Sequence, residues 1–116
     1  MDDMYSERRI DKRLKSELSA EYKLFGEELD LLSFHYTKTI TVDISKRGVC
    51  LAVSNIVHEG DVMRLDVSFG ERKKINTFGE VEWCKVEGGN YIAGISFISL
   101  SHNDAETLAG YLSTLN

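Results

Sequence analysis

Apolar and polar positions alternate with a period of two along most of this chain. Between Leu14 and Phe25, Leu18, Ala20, Tyr22 and Leu24 recur at every second position, which predicts a first strand ending near Gly26. Glu27 to Ser33 is an acidic, leucine-containing connection that reads as a loop or a short helical turn. Phe34 to Asp43 is rich in β-branched residues, and strict alternation there puts Ile40, Val42 and Ile44 on one face and Thr39, Thr41 and Asp43 on the other. Gly48 interrupts the run, and Val49 to Ser54 resumes it as a third strand. After the turn signal His58-Glu-Gly-Asp61, Met63, Leu65, Val67 and Phe69 alternate with Arg64, Asp66 and Ser68 as a half-buried strand. Gly70 to Arg72 turns the chain into a long strand from Lys74 to Val86, in which Gly79 is a candidate bulge. Gly88-Gly-Asn90 then connects to a return strand, Tyr91 to Ile98, with Gly94 in its middle.

The period changes after Ser101. That residue can cap a helix, with Asp104 completing an S-x-x-D start, and Ala105, Leu108, Ala109, Leu112 and Leu115 follow at helical spacing. Short strands joined by tight turns argue for an antiparallel barrel or sandwich, and closure into a small barrel best removes exposed edges. The terminal helix is expected to lie across one end of that barrel. Residues 1–13 are polar, with only Met4, Tyr5 and Ile10 to bury apart from the initial Met1, and read as a flexible N-terminal arm. Residues 14–116 then form one domain with a single modest core, in keeping with a 116-residue chain.

Composition adds little until charge is mapped onto position. The chain is 42% hydrophobic and 28% charged, with a net charge of −5, which argues against a dominant nucleic-acid or anionic-membrane binder. Residues 7–15 are the exception: Arg8, Arg9, Lys12, Arg13 and Lys15 stand against Glu7 and Asp11, a local excess of +3. Such a segment suits a small anionic partner or the protein's own acidic surface. No apolar run reaches the length of a membrane span, and no signal-peptide core opens the chain, so direct membrane insertion is not expected and a cytoplasmic setting is. Cys50 and Cys84 lack metal-site spacing and read as buried, reduced thiols on strands.

Two polar signatures carry the candidate chemistry. Arg9-Ile-Asp-Lys-Arg13 reads R-x-x-x-R, and Asp43-Ile-Ser45-Lys-Arg-Gly48 reads D-x-S-x-x-G. An arginine fork matches both the O6/N7 edge of guanine and the oxygens of a phosphate, so Arg9 and Arg13 can grip a nucleotide from two sides. Asp43 can accept from the N1–H and amino group of guanine, Ser45 can donate to a phosphate or base oxygen, and Gly48 permits a positive φ and a close backbone approach. Each signature alone has a plainer explanation. R-x-x-x-R is a common solvated charge pattern, and D-x-S-x-x-G is also a turn whose side chains bond its own backbone.

The conjunction resembles the PilZ domain, a small six-stranded antiparallel barrel that binds cyclic di-GMP. The resemblance runs from Glu7 to about Leu115 and includes Gly79-Glu-Val-Glu-Trp83, similar to the family's G-x-V-x-W strand, and Gly94-Ile-Ser-Phe97, similar to its G-x-x-F strand. It implies a mainly all-β fold, a six-stranded barrel with a C-terminal α-helix and a flexible arm. It further implies that Arg9 and Arg13 wrap cyclic di-GMP against the outer barrel surface beside Asp43, Ser45 and Gly48. An arginine at the position of Arg8 implies uptake of an intercalated dimer of the nucleotide. Trp83 is a candidate for stacking on guanine, although a tryptophan on a long strand is more often part of the structure. Lys46 and Arg47 can add phosphate attraction. The stretch Glu27 to Thr37 is longer than the usual family connection and is a candidate partner-specific surface.

The reading is therefore a bacterial second-messenger receptor that signals to a downstream protein by ordering its arm. Its alternative is a PilZ-type adaptor working through protein contacts without nucleotide. Single-stranded nucleic-acid binding would want aromatic platforms interleaved with basic residues, and these strands are mixed or acidic, so neither DNA nor RNA is an expected partner. His35, His58 and His102 show no metal-ligand spacing, and no nucleophile and base pair is evident. No catalytic residue, metal or cofactor is expected.

Overall fold

A computed structural model describes residues 14–25, 36–70 and 72–115. It contains β1 (Leu14–Lys15), β2 (Ser19–Leu24), β3 (Thr37–Ile44), β4 (Gly48–Val53), β5 (Val62–Ser68), β6 (Lys74–Glu87), β7 (Asn90–Ile98) and α1 (His102–Thr114). The expected arm, with Arg8, Arg9 and Arg13, and most of the 27–37 connection lie outside the described residues.

All pairings are antiparallel, in the order β3-β2-β5-β6-β7-β4, and β4 pairs back onto β3 to close a six-stranded barrel. β3–β4, β5–β6 and β6–β7 are antiparallel neighbours in sequence and in the sheet, so short turns suffice to join them. The β6–β7 turn is a two-residue loop: Glu87 faces Asn90, and Gly88 and Gly89 have φ of 61° and 84°. Two successive positive φ values give the turn a twist that matches the strands, and glycine accepts them without steric cost.

The first predicted strand is interrupted. β1 and β2 both run along the same edge of β3, Leu14 opposite Ile44 and Ser19 opposite Ile40, with the ladder broken at 16–18. Thr41 bridges the break. Its hydroxyl donates to the Ser16 carbonyl and accepts from the Leu18 N–H at 2.9 Å. Thr41 is thereby fully buried, and the expected face assignment of β3 is overturned: Ile40 and Val42 are exposed while Thr41 and Ile44 point inward. The reason is a register shift between Thr41 and Asp43 opposite β4, which makes Val42 an extra residue and moves Ile44 onto the core face.

Gly79 is not a bulge. It pairs regularly with Met63 and Phe97, and the irregularity of β6 falls at Glu82, between Val81 and Trp83. A Cβ at Gly79 would overlap the Ile95 side chain, so the position is small because the interior is full.

That interior is filled by Ala20, Tyr22, Ile44, Val49, Leu51, Met63, Leu65, Val67, Ile75, Val81, Ala93 and Ile95. Burying a side chain of this size stabilises the fold by roughly 1.5–3 kcal/mol. α1 closes one end. Ser101 caps it by accepting from Asp104 N–H at 3.1 Å, Leu108 is buried, and Tyr111 and Leu112 pack beside it. At its start, the Asp104 carboxylate accepts from the Asn76 backbone N–H of β6. Ala105 and Ala109 stay exposed, so the helix buries a narrower stripe than its spacing suggests. Of the two thiols, Cys50 is buried as expected, whereas Cys84 is half-buried because β6 extends past the barrel wall.

Candidate functional site

The D-x-S-x-x-G signature forms the hairpin between β3 and β4, at the seam where the barrel closes. Ser45 organises it. The Ser45 N–H donates to the Gly48 carbonyl at 2.8 Å, and the Ser45 hydroxyl accepts from the N–H groups of Arg47 and Gly48 at 3.3 and 3.2 Å. With 2% of its surface exposed, this hydroxyl is turned into the loop. The Arg47 carbonyl accepts from Phe97 N–H at 2.8 Å and pins the loop to β7. Lys46 and Arg47 thus project from a fixed backbone with exposed side chains.

Gly48 serves a different purpose from the one expected. Its φ is not in the left-handed region, where Gly60, Gly70, Gly88 and Gly89 lie. A Cβ at Gly48 would instead run into the Ile95 carbonyl oxygen of the neighbouring strand. Glycine is required there by the close approach of β4 to β7.

The register places Asp43 in a row across the barrel wall: Asp43 faces Cys50, Cys50 faces Gly94, and Gly94 faces Trp83. Ile44, Val49, Leu51, Ala93 and Ile95 point into the core, so this row lies on the outer face. Three strand spacings separate Asp43 from Trp83, about 14 Å along the sheet. The indole lies flat enough against Gly94 that a Cβ there would overlap its ring atoms. Trp83 is therefore both structural and accessible: it covers Gly94 and leaves 38% of its surface exposed. Lys85 Nζ sits 5.3 Å from the indole centroid, a cation over an aromatic face. Ser96 Oγ donates to Glu82 Oε2 at 2.7 Å and holds the bulged Glu82 beside this row.

Residues missed in the sequence complete the corner. Lys15 is directly opposite Asp43, and Leu14 is opposite Ile44. Lys15 follows R-x-x-x-R by two positions, a spacing that signalled a cation but not its partner. Lys85 was also overlooked, although its place two residues after Trp83 puts both on one strand face. A cleft of about 50 Å³ at Tyr22, Thr37, Ser54, Asn55 and Val57 has room for a few waters and none for a nucleotide. Among the described residues, no group of three or more His, Cys, Asp or Glu side chains could hold a metal. Among them, too, no helix is long and apolar enough to cross a membrane.

Comparisons with known proteins agree with this geometry. The profile of the PilZ domain matches residues 7–114. Among solved structures, the Bacillus subtilis inhibitor of motility MotI/DgrA superposes with a TM-score of 0.73 at 15% identity, covering 88% of this chain and 48% of its own. This chain therefore spans about half the length of that protein. The PilZ domain of YcgR from Escherichia coli, solved with cyclic di-GMP, gives 0.70 at 13% identity and covers 93% of this chain and 91% of its own. A tetrameric PilZ domain of a pathogenic protein from Xanthomonas campestris gives 0.68 at 12% identity, covering 97% and 93%. A comparison with curated proteins found no match. PilZ domains are non-catalytic receptor and adaptor domains. With the family profile spanning nearly the whole chain and the barrel closed as that family closes it, this chain belongs to the PilZ domain family.

Proposed function

We propose that this protein is a cytoplasmic receptor for cyclic di-GMP, binding it on the outer barrel face between the Asp43–Gly48 corner and Trp83. One observation carries the reading. β1 pairs Leu14 with Ile44 and Lys15 with Asp43, so the segment bearing R-x-x-x-R joins the barrel beside the D-x-S-x-x-G hairpin. Arg13 is one peptide bond from Leu14, and Arg9 is five, a reach of at most about 18 Å. Trp83 lies four strand spacings from β1, about 19 Å along the sheet, so the extended backbone covers the row as far as β7 and the length of an arginine side chain covers the rest.

In this reading Arg9 and Arg13 contact guanine edges and phosphates, Asp43 accepts from guanine, and Trp83 offers a stacking face. Ser45 and Gly48 act by shaping the hairpin, one by bonding its backbone and the other by letting β4 approach β7. Lys15, Lys46, Arg47 and Lys85 add positive potential to an otherwise acidic surface. Arg8 supplies a third guanidinium for an intercalated nucleotide dimer. Ordering the arm over the ligand costs on the order of 1–2 kcal/mol per residue. The guanidinium contacts offset this cost, and the ordered arm presents a new face to a downstream protein. The structure of YcgR with this nucleotide supports the choice of ligand.

Calorimetric titration of cyclic di-GMP into the wild type and Arg9→Ala, with GTP and cyclic di-AMP as controls, tests the proposal. Saturable heat is expected for cyclic di-GMP alone, at two nucleotides per chain, with binding reduced at least tenfold in R9A. Saturation at one nucleotide removes the role given to Arg8. Equal heats for all ligands, or an unaffected variant, remove the receptor reading and leave the nucleotide-independent adaptor.

A further inference from the structure

The break between β1 and β2 touches more than β3. Ser16, two residues after Leu14, donates its N–H to the Val42 carbonyl at 3.1 Å, and its own carbonyl accepts from the Thr41 hydroxyl. Its side chain reaches in a third direction and hydrogen-bonds the hydroxyl of Tyr111 on α1, 95 residues away in sequence. The Tyr111 ring packs on Phe69 with centroids 4.8 Å apart, so the phenol is held from one side by the β5 end and from the other by Ser16.

The two ends of α1 are secured differently. Its start has the Ser101 cap and the Asp104 contact to β6. Its last turn has no basic residue to meet the negative end of the helix dipole, and Leu115 N–H closes it on Leu112. Docking of that last half therefore rests on Leu108, Tyr111 and Leu112. Of these, Tyr111 also hydrogen-bonds Ser16 in the strand break that follows the arginine segment.

We propose that Tyr111 is a positioning residue for nucleotide binding: through Ser16 it fixes the root of the arginine segment and links that root to the C-terminal helix. This rests on the receptor reading above. When ligand holds the arginines, the Leu14–Ser16 backbone is fixed on β3, the Ser16 hydroxyl stays on Tyr111, and the second half of α1 loses freedom. Coupling is reciprocal, so a helix that is held in place also favours ligand. α1 then becomes the element through which occupancy is read.

Tyr111→Phe keeps the ring on Phe69 and removes the hydroxyl, and Ser16→Ala removes the other half of the bond without touching the core. The full chain and both variants are titrated with cyclic di-GMP, and amide hydrogen exchange of residues 102–115 is followed with and without it. Wild type is expected to bind and to slow exchange over 108–115. Y111F and S16A are each expected to bind about three- to tenfold more weakly and to lose that slowing, and the double variant to be no worse than either. Wild-type affinity in either variant, ligand-induced slowing that survives in it, or additive losses in the double variant would overturn the coupling while leaving the receptor reading intact. If Y111F does not fold, S16A decides. A wild type that fails to bind overturns the receptor reading, and the coupling with it.

Discussion

A hydroxyl sealed from water has to find its partners inside the fold, and Thr41 finds two across the β1–β2 break. Thr41→Val keeps the shape and strands the Leu18 N–H and the Ser16 carbonyl. It is expected to cost about 1–3 kcal/mol in denaturant unfolding, the range for an orphaned buried polar group. Gly48→Ala acts through sterics, because the new methyl meets the Ile95 carbonyl, a backbone atom held in a ladder. A loss of about 1–3 kcal/mol is expected, as for other overpacked sites. A wild-type melting temperature for G48A would show that β4 and β7 can part at no cost. The signature residues were legible as a set in the sequence, and so was the plainer role of Ser45, a turn residue bonding its own loop. The role of Gly48 was not, because it is set by the approach of β4 to β7, a product of long-range packing.

Strands and helix were legible wherever one face met the core throughout. Met63, Leu65 and Val67 are all fully buried, as their alternation requires, and α1 begins at its cap. Alternation failed at β3 because one inserted residue inverts which face looks inward, and nothing in Ile40-Thr-Val-Asp-Ile44 marks where the insertion falls. The bulge is nonetheless required by its neighbours. Deleting Val42 would keep Thr41 and Ile44 inward and Asp43 outward, but would move Asp43 and Ile44 one residue along from Lys15 and Leu14, so the deletion variant is expected to unfold at lower denaturant through loss of the β1 pairing. At the other end of the chain, Ser101→Ala removes the hydroxyl that accepts from Asp104 N–H. About 1 kcal/mol is expected to be lost, with the helical circular-dichroism signal otherwise kept.

At the scale of the molecule, the barrel is closed where β3 changes partner, paired with β2 through Ile40 and with β4 from Thr41 onward. The D-x-S-x-x-G hairpin spans that closure, so ligand bound across it opposes global unfolding. At a free nucleotide concentration 100-fold above Kd, stabilisation of about 2.7 kcal/mol is expected, on the order of ten degrees in a thermal melt. Raising salt is expected to reduce that gain, since full charges on exposed guanidiniums supply much of the attraction. A melt unmoved by cyclic di-GMP would count against the receptor reading.

The two-residue pairing of Leu14 and Lys15 with Ile44 and Asp43 has a kinetic corollary. A tether of a few residues keeps the guanidiniums at an effective concentration in the millimolar range, whatever the dilution of the protein. Capture of a nucleotide by the corner is then followed by a unimolecular closing step. The observed association rate should rise linearly with nucleotide until that step limits it, and should not depend on how much protein is present.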